Sequence, residues 1–302
     1  MAADRTPISP IRNSSSELDK PASRSGVFRI GDDLPIHRLG FGAMRITGNG
    51  IWREPRDHDE VIRVLRRALE LGINFIDTAD SYGPDVSERL IAEALYPYPH
   101  GLVIASKAGF VRGGPNQWTI NGRPEHLRAA CEGSLRRLRV ERIDLYQLHR
   151  IDPTVPLEDQ LGVFKDLQAQ GKIRHIGLSE VTVTQIEHAR KIVPVVTVQN
   201  RYSLADRSYE DVLNYCEHAN LGFIPWNPIN AGNLRALGTE LKRVAGHHSI
   251  TTAQLALAWL LWRSPVMLPI PGTSQVAHLE ENVAAATLHL DDAELQGLSR
   301  AA

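Results

Sequence analysis

Short apolar runs alternate with longer amphipathic stretches along most of this chain. The short runs, rich in Val, Ile and Leu and bounded by polar or turn residues, read as strands buried on both faces of a parallel sheet. They fall at Leu39–Met44, Asn74–Asp77, Leu102–Ser106, Ile143–Leu148, Ile173–Leu178, Val195–Val198, Gly222–Pro225 and Val266–Pro269. Between them, apolar residues recur at helical spacing over Asp59–Leu71, Ser87–Leu95, Pro124–Leu138, Leu157–Gln170, Thr182–Arg190 and Tyr209–Ala219. Pro124 suits a first helical turn, where its missing N–H is no loss. Further helices are expected around Leu234–Ala245, over Thr251–Arg263 and Val276–Ala286, and at Asp291–Leu298.

Eight strands in strict alternation with helices, with no linker midway, predict an α/β protein of one domain: a closed (β/α)8 TIM barrel spanning 27–302. Its extra helices lie at the C-terminal end. A doubly wound sheet is the alternative for the same alternation. Ahead of the barrel, Val27–Ile30 and Leu34–His37 flank Gly31, Asp32 and Asp33 and read as a β-hairpin. Residues 1–26, rich in Ser, Pro, Arg and Asp, read as a disordered tail. Lacking an apolar run and carrying Asp4, Glu17 and Asp19, this stretch is expected to be neither a secretory signal nor a transit peptide. Gly109–Arg123 reads as a long loop.

Composition narrows the partners. The 302 residues carry a net charge of −1, which gives no reason to expect a nucleic acid. Arg136, Arg137 and Arg139 cluster at the end of a helical stretch, where they complement the helix dipole. No run of 18 apolar residues suggests a membrane span. Cys131 and Cys216, far apart and each within a helical pattern, read as buried free thiols suited to a reducing, cytoplasmic compartment.

The strand ends carry the chemistry. The stretch Leu71–Gly83 ends an apolar run in Asp77, and a carboxylate there is costly unless a cation faces it. In a barrel of this kind the carboxyl ends of the strands converge on one mouth. Lys107, His149, Ser179, Gln199, Asn200 and Trp226 stand at or just past such ends, with Tyr82 a few residues beyond Asp77. Tyr, Lys, Asp and His on neighbouring strands suit proton transfer to a carbonyl oxygen. A tyrosine hydroxyl is a weak acid, and an adjacent ammonium lowers its pKa. Lys107 is placed to supply that charge, Asp77 to hold it, and His149 to direct the substrate oxygen. The chain contains no G-x-S-x-G, H-E-x-x-H, P-loop, G-x-G-x-x-G or metal-ligand cluster.

Six ordered motifs then carry a resemblance: FIDTADSYG (75–83), IASKAG (104–109), DLYQLHRID (144–152), GKIRHIGLS (171–179), VQNRYSL (198–204) and IPGTSQVAHLEENV (270–283). Together they resemble the aldo-keto reductase superfamily from about Leu39 onward, and within it bacterial general or pyridoxal-type reductases. The resemblance implies an NADPH-dependent carbonyl reductase on a TIM barrel, acting on a small-molecule carbonyl substrate. Tyr82 matches the general acid, Lys107 its partner, Asp77 the counter-ion and His149 the carbonyl-orienting residue. Ser179 and Gln199 match residues that bond the nicotinamide carboxamide, and Trp226 the aromatic stacked on that ring. Asn227, Ile229 and Gly232 match the loop cradling the pyrophosphate. Gly272, Thr273, Ser274, His278, Glu281 and Asn282 match the adenosine-phosphate end.

Three departures qualify the match. Glu180 stands where the family usually has Asn. It is expected either to face water or a nearby Arg, or to sit close to the nicotinamide and favour its oxidised form. His278 replaces an Arg that grips the 2′-phosphate in many members, and Gly272 a Lys, so NADH use is possible alongside NADPH. No segment matches the long C-terminal loop of many eukaryotic relatives. Pocket walls are therefore expected from 44–55 and 111–118, with Met44, Trp52, Arg112 and Trp118, and from the segment after Trp226. Two rival readings use the same residues: a Schiff-base aldolase with Lys107 as nucleophile, and a cofactor-binding regulatory subunit without turnover.

Overall fold

A computed structural model describes residues 20–229 and 238–301. After an antiparallel hairpin, β1 (Val27–Ile30) and β2 (Leu34–His37), comes the parallel sheet of β3 (Phe41–Gly42), β4 (Phe75–Asp77) and β5 (Val103–Ala108). A second hairpin, β6 (Phe110–Gly114) and β7 (Gln117–Ile120), interrupts it, and β8 (Ile143–Leu148), β9 (Ile173–Ser179), β10 (Val195–Gln199) and β11 (Gly222–Phe223) complete it. Neighbours in the sheet run β3-β4-β5-β8-β9-β10-β11, all parallel. The ring closes through Val266–Pro269, whose strand was expected. The Phe223 amide donates to the Val266 carbonyl (2.8 Å), the Leu268 amide to Phe223 (2.8 Å), and the Gly40 amide to Pro269 (2.9 Å). The expected eight-position barrel is thus realised.

The crossover helices are α1 (His58–Glu70), α2 (Val86–Leu95), α3 (Pro124–Leu138), α4 (Leu157–Ala169), α5 (Val183–Arg190) and α6 (Glu210–His218). They are followed by α7 (Gly238–His247), α8 (Thr252–Arg263), α9 (Val276–Ala284) and α10 (Asp292–Ala301). Their starts follow local chemistry. Pro124 opens α3, Asp57 accepts from the Glu60 amide at α1, and Thr182 with Gln185 and Thr251 with Gln254 form capping boxes at α5 and α8. Every residue of β5 is buried because helices cover the outside while the barrel interior is filled. The β1–β2 hairpin closes the amino-terminal end, with Phe28 and Ile30 buried and Phe28 packed near Gly222.

Three segments differ from the sequence reading. Pro21–Ser25 forms a turn of 3-10 helix rather than tail: the Ala22 amide donates to Leu71, and the Ser25 hydroxyl accepts from Leu39 and donates to Ala22. These polar contacts fix backbone that composition alone marks as loose. The loop expected over Gly109–Arg123 contains the β6–β7 hairpin, which turns through Pro115 and Asn116, the latter at φ +56°. The first barrel strand shortens to Phe41–Gly42 and passes into a 3-10 turn, Ala43–Ile46. Cys131 and Cys216 are both free and buried, and burial pushes each thiol up to about 12. Among the described residues no helix is long and apolar enough to cross a membrane.

Candidate active site

The barrel register assembles a polar cluster at its carboxyl end. Lys107 and Gln147 are paired positions on β5 and β8, and Ser179 and Gln199 on β9 and β10, so alternate residues of these strands point into the barrel. Asp77 ends β4 and is satisfied on both oxygens. Its Oδ1 accepts from Lys107 Nζ at 2.5 Å, and its Oδ2 from the amides of Gln147 and Gln199, each at 2.9 Å. Lys107 is wholly buried and also donates to the Thr78 carbonyl (2.9 Å) and the Tyr82 hydroxyl (3.4 Å). Burial disfavours its ammonium, but the Asp77 carboxylate and the Tyr82 oxygen outweigh that and hold Lys107 above the ordinary lysine value.

Tyr82 hangs from the loop after β4, its amide bonded to Ala79, with Gly83 beyond it at φ +104°. From the sequence, Lys107 is expected to lower its pKa. The ammonium does act in that direction, but burial acts more strongly, and the hydroxyl is held above the ordinary tyrosine value. Tyr82 therefore keeps its proton at neutral pH. His149 stands edge-on to Tyr82, ring centres 5.9 Å apart, and its Nδ1 lies 3.5 Å from the Ser81 hydroxyl. Burial, then Lys107 and Arg150, push its pKa well below the ordinary histidine value. The imidazole is neutral, able to donate from one nitrogen without carrying charge.

These groups open onto a cleft of about 490 Å³. Asp77, Tyr82 and His149 form its floor with Gln199, and Phe110 and Trp118 form one wall. The Phe110 ring lies 4.7 Å from that of His149, and Trp118 lies 6.4 Å from both Tyr82 and His149. Met44 lines the cleft as expected, whereas Trp52 and Arg112 do not. All five N–H groups of Arg112 are spent on carbonyls of Gly50, Ile51, Ser81, Gly114 and Gln117, at 2.7–3.2 Å. Its guanidinium is stacked 3.6 Å from the Trp118 ring centre, with Trp52 on a further side. Arg112 pins the β6–β7 hairpin in place and has no donor left for a substrate.

The opposite wall begins at Ser179, Trp226, Asn227 and Ile229 and runs past Gly272. Trp226 lines the cleft rather than the core, and its indole N–H donates to Glu180 Oε1 at 2.6 Å. The same oxygen accepts from the Arg201 amide (2.7 Å), and Oε2 from the Tyr209 hydroxyl (3.4 Å). Glu180 is thus half-buried and bound to Trp226, Tyr209 and the Arg201 amide, and among the described residues it forms no ion pair with an Arg side chain. At φ +55° its backbone turns the carboxylate onto Trp226. Asn200 is occupied by both backbone groups of Val181. At Gly272 an added Cβ would lie 2.3 Å from the Gly42 carbonyl, so only glycine lets the two chain segments meet there.

Beyond Gly272 the remaining predicted positions follow on α9 and the turn before it, outside the cleft wall. Thr273 is buried and caps Gln275, while Ser274 and His278 are exposed. Glu281 accepts from Thr251, and Asn282 is buried. The first amide of α9, Val276, is taken by Glu60 at 2.9 Å. Gly232 lies outside the described residues. Three further residues contribute to the cleft or its polar cluster that were not expected from the sequence: Gln147, Arg150 and Phe110. The strand's two-residue period carried the signal for Gln147, which shares a face with His149.

The family model described as "Aldo/keto reductase family" matches residues 38–302. An uncharacterised oxidoreductase of Schizosaccharomyces pombe is 55% identical over 91% of this chain and 89% of its own length. The pyridoxine 4-dehydrogenase of Escherichia coli is 42% identical over 91% of this chain and 99% of its own length. Among solved structures, an aldo-keto reductase from Klebsiella pneumoniae in complex with NADPH aligns with a TM-score of 0.77 and 29% identity, covering 91% and 94% of the two chains.

Proposed function

The chain belongs to the aldo/keto reductase family, and from that premise we propose that it reduces an aldehyde or ketone to the alcohol with NADPH, Tyr82 giving the proton. The observation that carries this reading is the buried contact of Tyr82 with Lys107, itself locked to Asp77 and opening onto the cleft.

The residues fit the cofactor. The cleft runs from Ser179 and Trp226 to Gly272, and the solved neighbour from Klebsiella pneumoniae holds NADPH. Ser179, Gln199 and Trp226 would hold the nicotinamide end, Asn227, Ile229 and Gly232 the pyrophosphate, and Gly272 through Asn282 the adenosine phosphate. His278 in place of a guanidinium and Glu60 at the first amide of α9 weaken the grip on a 2′-phosphate, which leaves NADH usable. When bound, the reduced nicotinamide supplies the hydride.

The protein's part is positioning and proton transfer. Neutral His149 donates to the carbonyl oxygen, drawing it toward Tyr82. As negative charge develops on that oxygen, the Tyr82 hydroxyl passes its proton across, and the tyrosinate left behind faces the Lys107 ammonium 3.4 Å away. Asp77 keeps the ammonium in place, and Gln147 and Gln199 keep Asp77 in place. Solvent then returns the proton.

Pyridoxal is the narrower reading. It is a planar heteroaromatic aldehyde, the walls of Phe110 and Trp118 suit a flat ring, and the relative from Escherichia coli is named for that chemistry. The regulatory-subunit reading is disfavoured by four intact groups in contact. The Schiff-base reading is disfavoured because Lys107 is held as an ammonium, which cannot attack a carbonyl. The test is NADPH consumption with a panel of aliphatic and aromatic aldehydes, pyridoxal included. NADPH that binds but is never consumed would reject turnover, and borohydride trapping of a ketose on Lys107 would reject reduction in favour of an aldolase.

A further inference from the structure

Arg150 follows His149 directly and forms part of the cleft wall between Phe110 and Ser179. Its Nη1 donates to the His149 carbonyl (2.6 Å) and the Ser179 hydroxyl (3.1 Å), which fixes the guanidinium, and its Cζ lies 5.5 Å from the Phe110 ring centre. Among the described residues, Nη2 and Nε meet no protein acceptor, and no carboxylate forms an ion pair with it. Glu180 is near enough to be felt electrostatically, but its oxygens are committed to Trp226, Arg201 and Tyr209. The other arginines flanking Trp226 and the rim differ: Arg201 is exposed and paired with Asp206, and Arg45 is exposed.

A half-buried guanidinium with no carboxylate in ion-pair contact among the described residues is costly, and here burial pushes its pKa below the ordinary arginine value although the Glu180 charge acts the other way. Asp77 is the only carboxylate lining the cleft among the described residues, and it is fully engaged below. We propose that Arg150 is a specificity-determining residue whose free N–H groups bind an oxygen anion carried by the substrate beside its reacting carbonyl, so that the enzyme favours acidic carbonyl compounds such as 2-oxo acids. The inference rests on the carbonyl-reductase reading. The geometry serves it: a fork anchored beside the carbonyl-orienting histidine recognises a carboxylate one bond from that carbonyl while His149 and Tyr82 hold the carbonyl oxygen. The phenolate oxygen next to the formyl group of pyridoxal falls in the same class.

The test compares phenylglyoxylate with its neutral methyl ester, both reduced at the ketone, in wild type, Arg150→Met and Arg150→Lys. The readout is the ratio of kcat/KM for acid over ester within each protein, which cancels general damage to the site. The ratio should fall about tenfold or more in Arg150→Met, with Arg150→Lys between, because the fork but not the charge is lost there. Benzoate, which cannot be reduced, gives an answer without turnover: as an inhibitor of ester reduction it should lose affinity by a similar factor in Arg150→Met. An unchanged ratio together with unchanged benzoate inhibition overturns the proposal and leaves carbonyl reduction standing. Equal losses for acid and ester, accompanied by weaker NADPH binding, also overturn it and assign the guanidinium to the nicotinamide end. If wild type consumes NADPH with neither ketone nor with any aldehyde, carbonyl reduction itself fails, and this proposal with it.

Discussion

Replacing Lys107 by Met separates the two things this residue does. The ammonium is wholly buried and makes three contacts, to Asp77, Thr78 and Tyr82. Its loss leaves the Asp77 carboxylate sealed in the barrel with only the amides of Gln147 and Gln199. Breaking one half of a buried pair costs about 3–5 kcal/mol, because the remaining charge has neither water nor a counter-ion. At roughly 2–4 °C of Tm per kcal/mol for a chain of this general size, that is a fall of about 6–20 °C. Asp77→Asn should cost a similar amount from the other side, stranding the ammonium. Removing both charges together leaves neither stranded, so the double variant should lose less than the sum of the singles, by a coupling of about 2–3 kcal/mol. Urea melts followed by tryptophan fluorescence, on wild type, both singles and the double, measure it directly. Losses that add to within about 0.5 kcal/mol would refute the reasoning, since they would mean that the two groups do not depend on each other.

The pH profile of reduction follows from the two displaced groups. His149 is held well below the ordinary histidine value and Tyr82 above the ordinary tyrosine value, so neither changes charge between about pH 6 and 9, and kcat/KM should be flat there. A limb near pH 6.5 would show that His149 titrates normally. Glu180 holds the Trp226 indole by one short bond, so Glu180→Leu should weaken NADPH binding about tenfold while Glu180→Gln, which still accepts, loses less. Equal losses in a fluorescence titration would show that the bond does not position Trp226. His278→Arg should tighten NADPH by about tenfold with NADH unchanged, read in the same titration, because a fork replaces an exposed imidazole at the phosphate end. A shift of both cofactors together would place His278 away from the 2′-phosphate.

Much of the candidate site was legible because parallel strands are so uniformly apolar. Against that background Asp77, Lys107 and His149 stand out as polar residues at strand ends, and a buried carboxylate at once demands a cation. Gln147 was as informative but easier to pass over, since one amide inside a strand reads as tolerated rather than purposeful. Its role appears only when the β5–β8 register sets it against Lys107. Arg112 and Trp52 show the opposite limit. An arginine and a tryptophan in a glycine-bearing segment suggest a polar aromatic pocket, yet the hairpin directs every Arg112 donor to backbone carbonyls. Such carbonyls come from three separate segments and leave no trace in local pattern. The Tyr82 pKa is the same lesson in energies: the sequence names the cation that lowers it, while only the fold reveals the burial that outweighs that cation.

The central claim, that Tyr82 delivers the proton, is tested most directly by Tyr82→Phe, which removes one oxygen and keeps the ring against Trp118 and His149. NADPH should still quench the tryptophan fluorescence with wild-type affinity, while single-turnover reduction of an aldehyde slows by about 10²–10⁴-fold. Reduction within tenfold of wild type would contradict the account, as would a loss explained entirely by failure to bind NADPH.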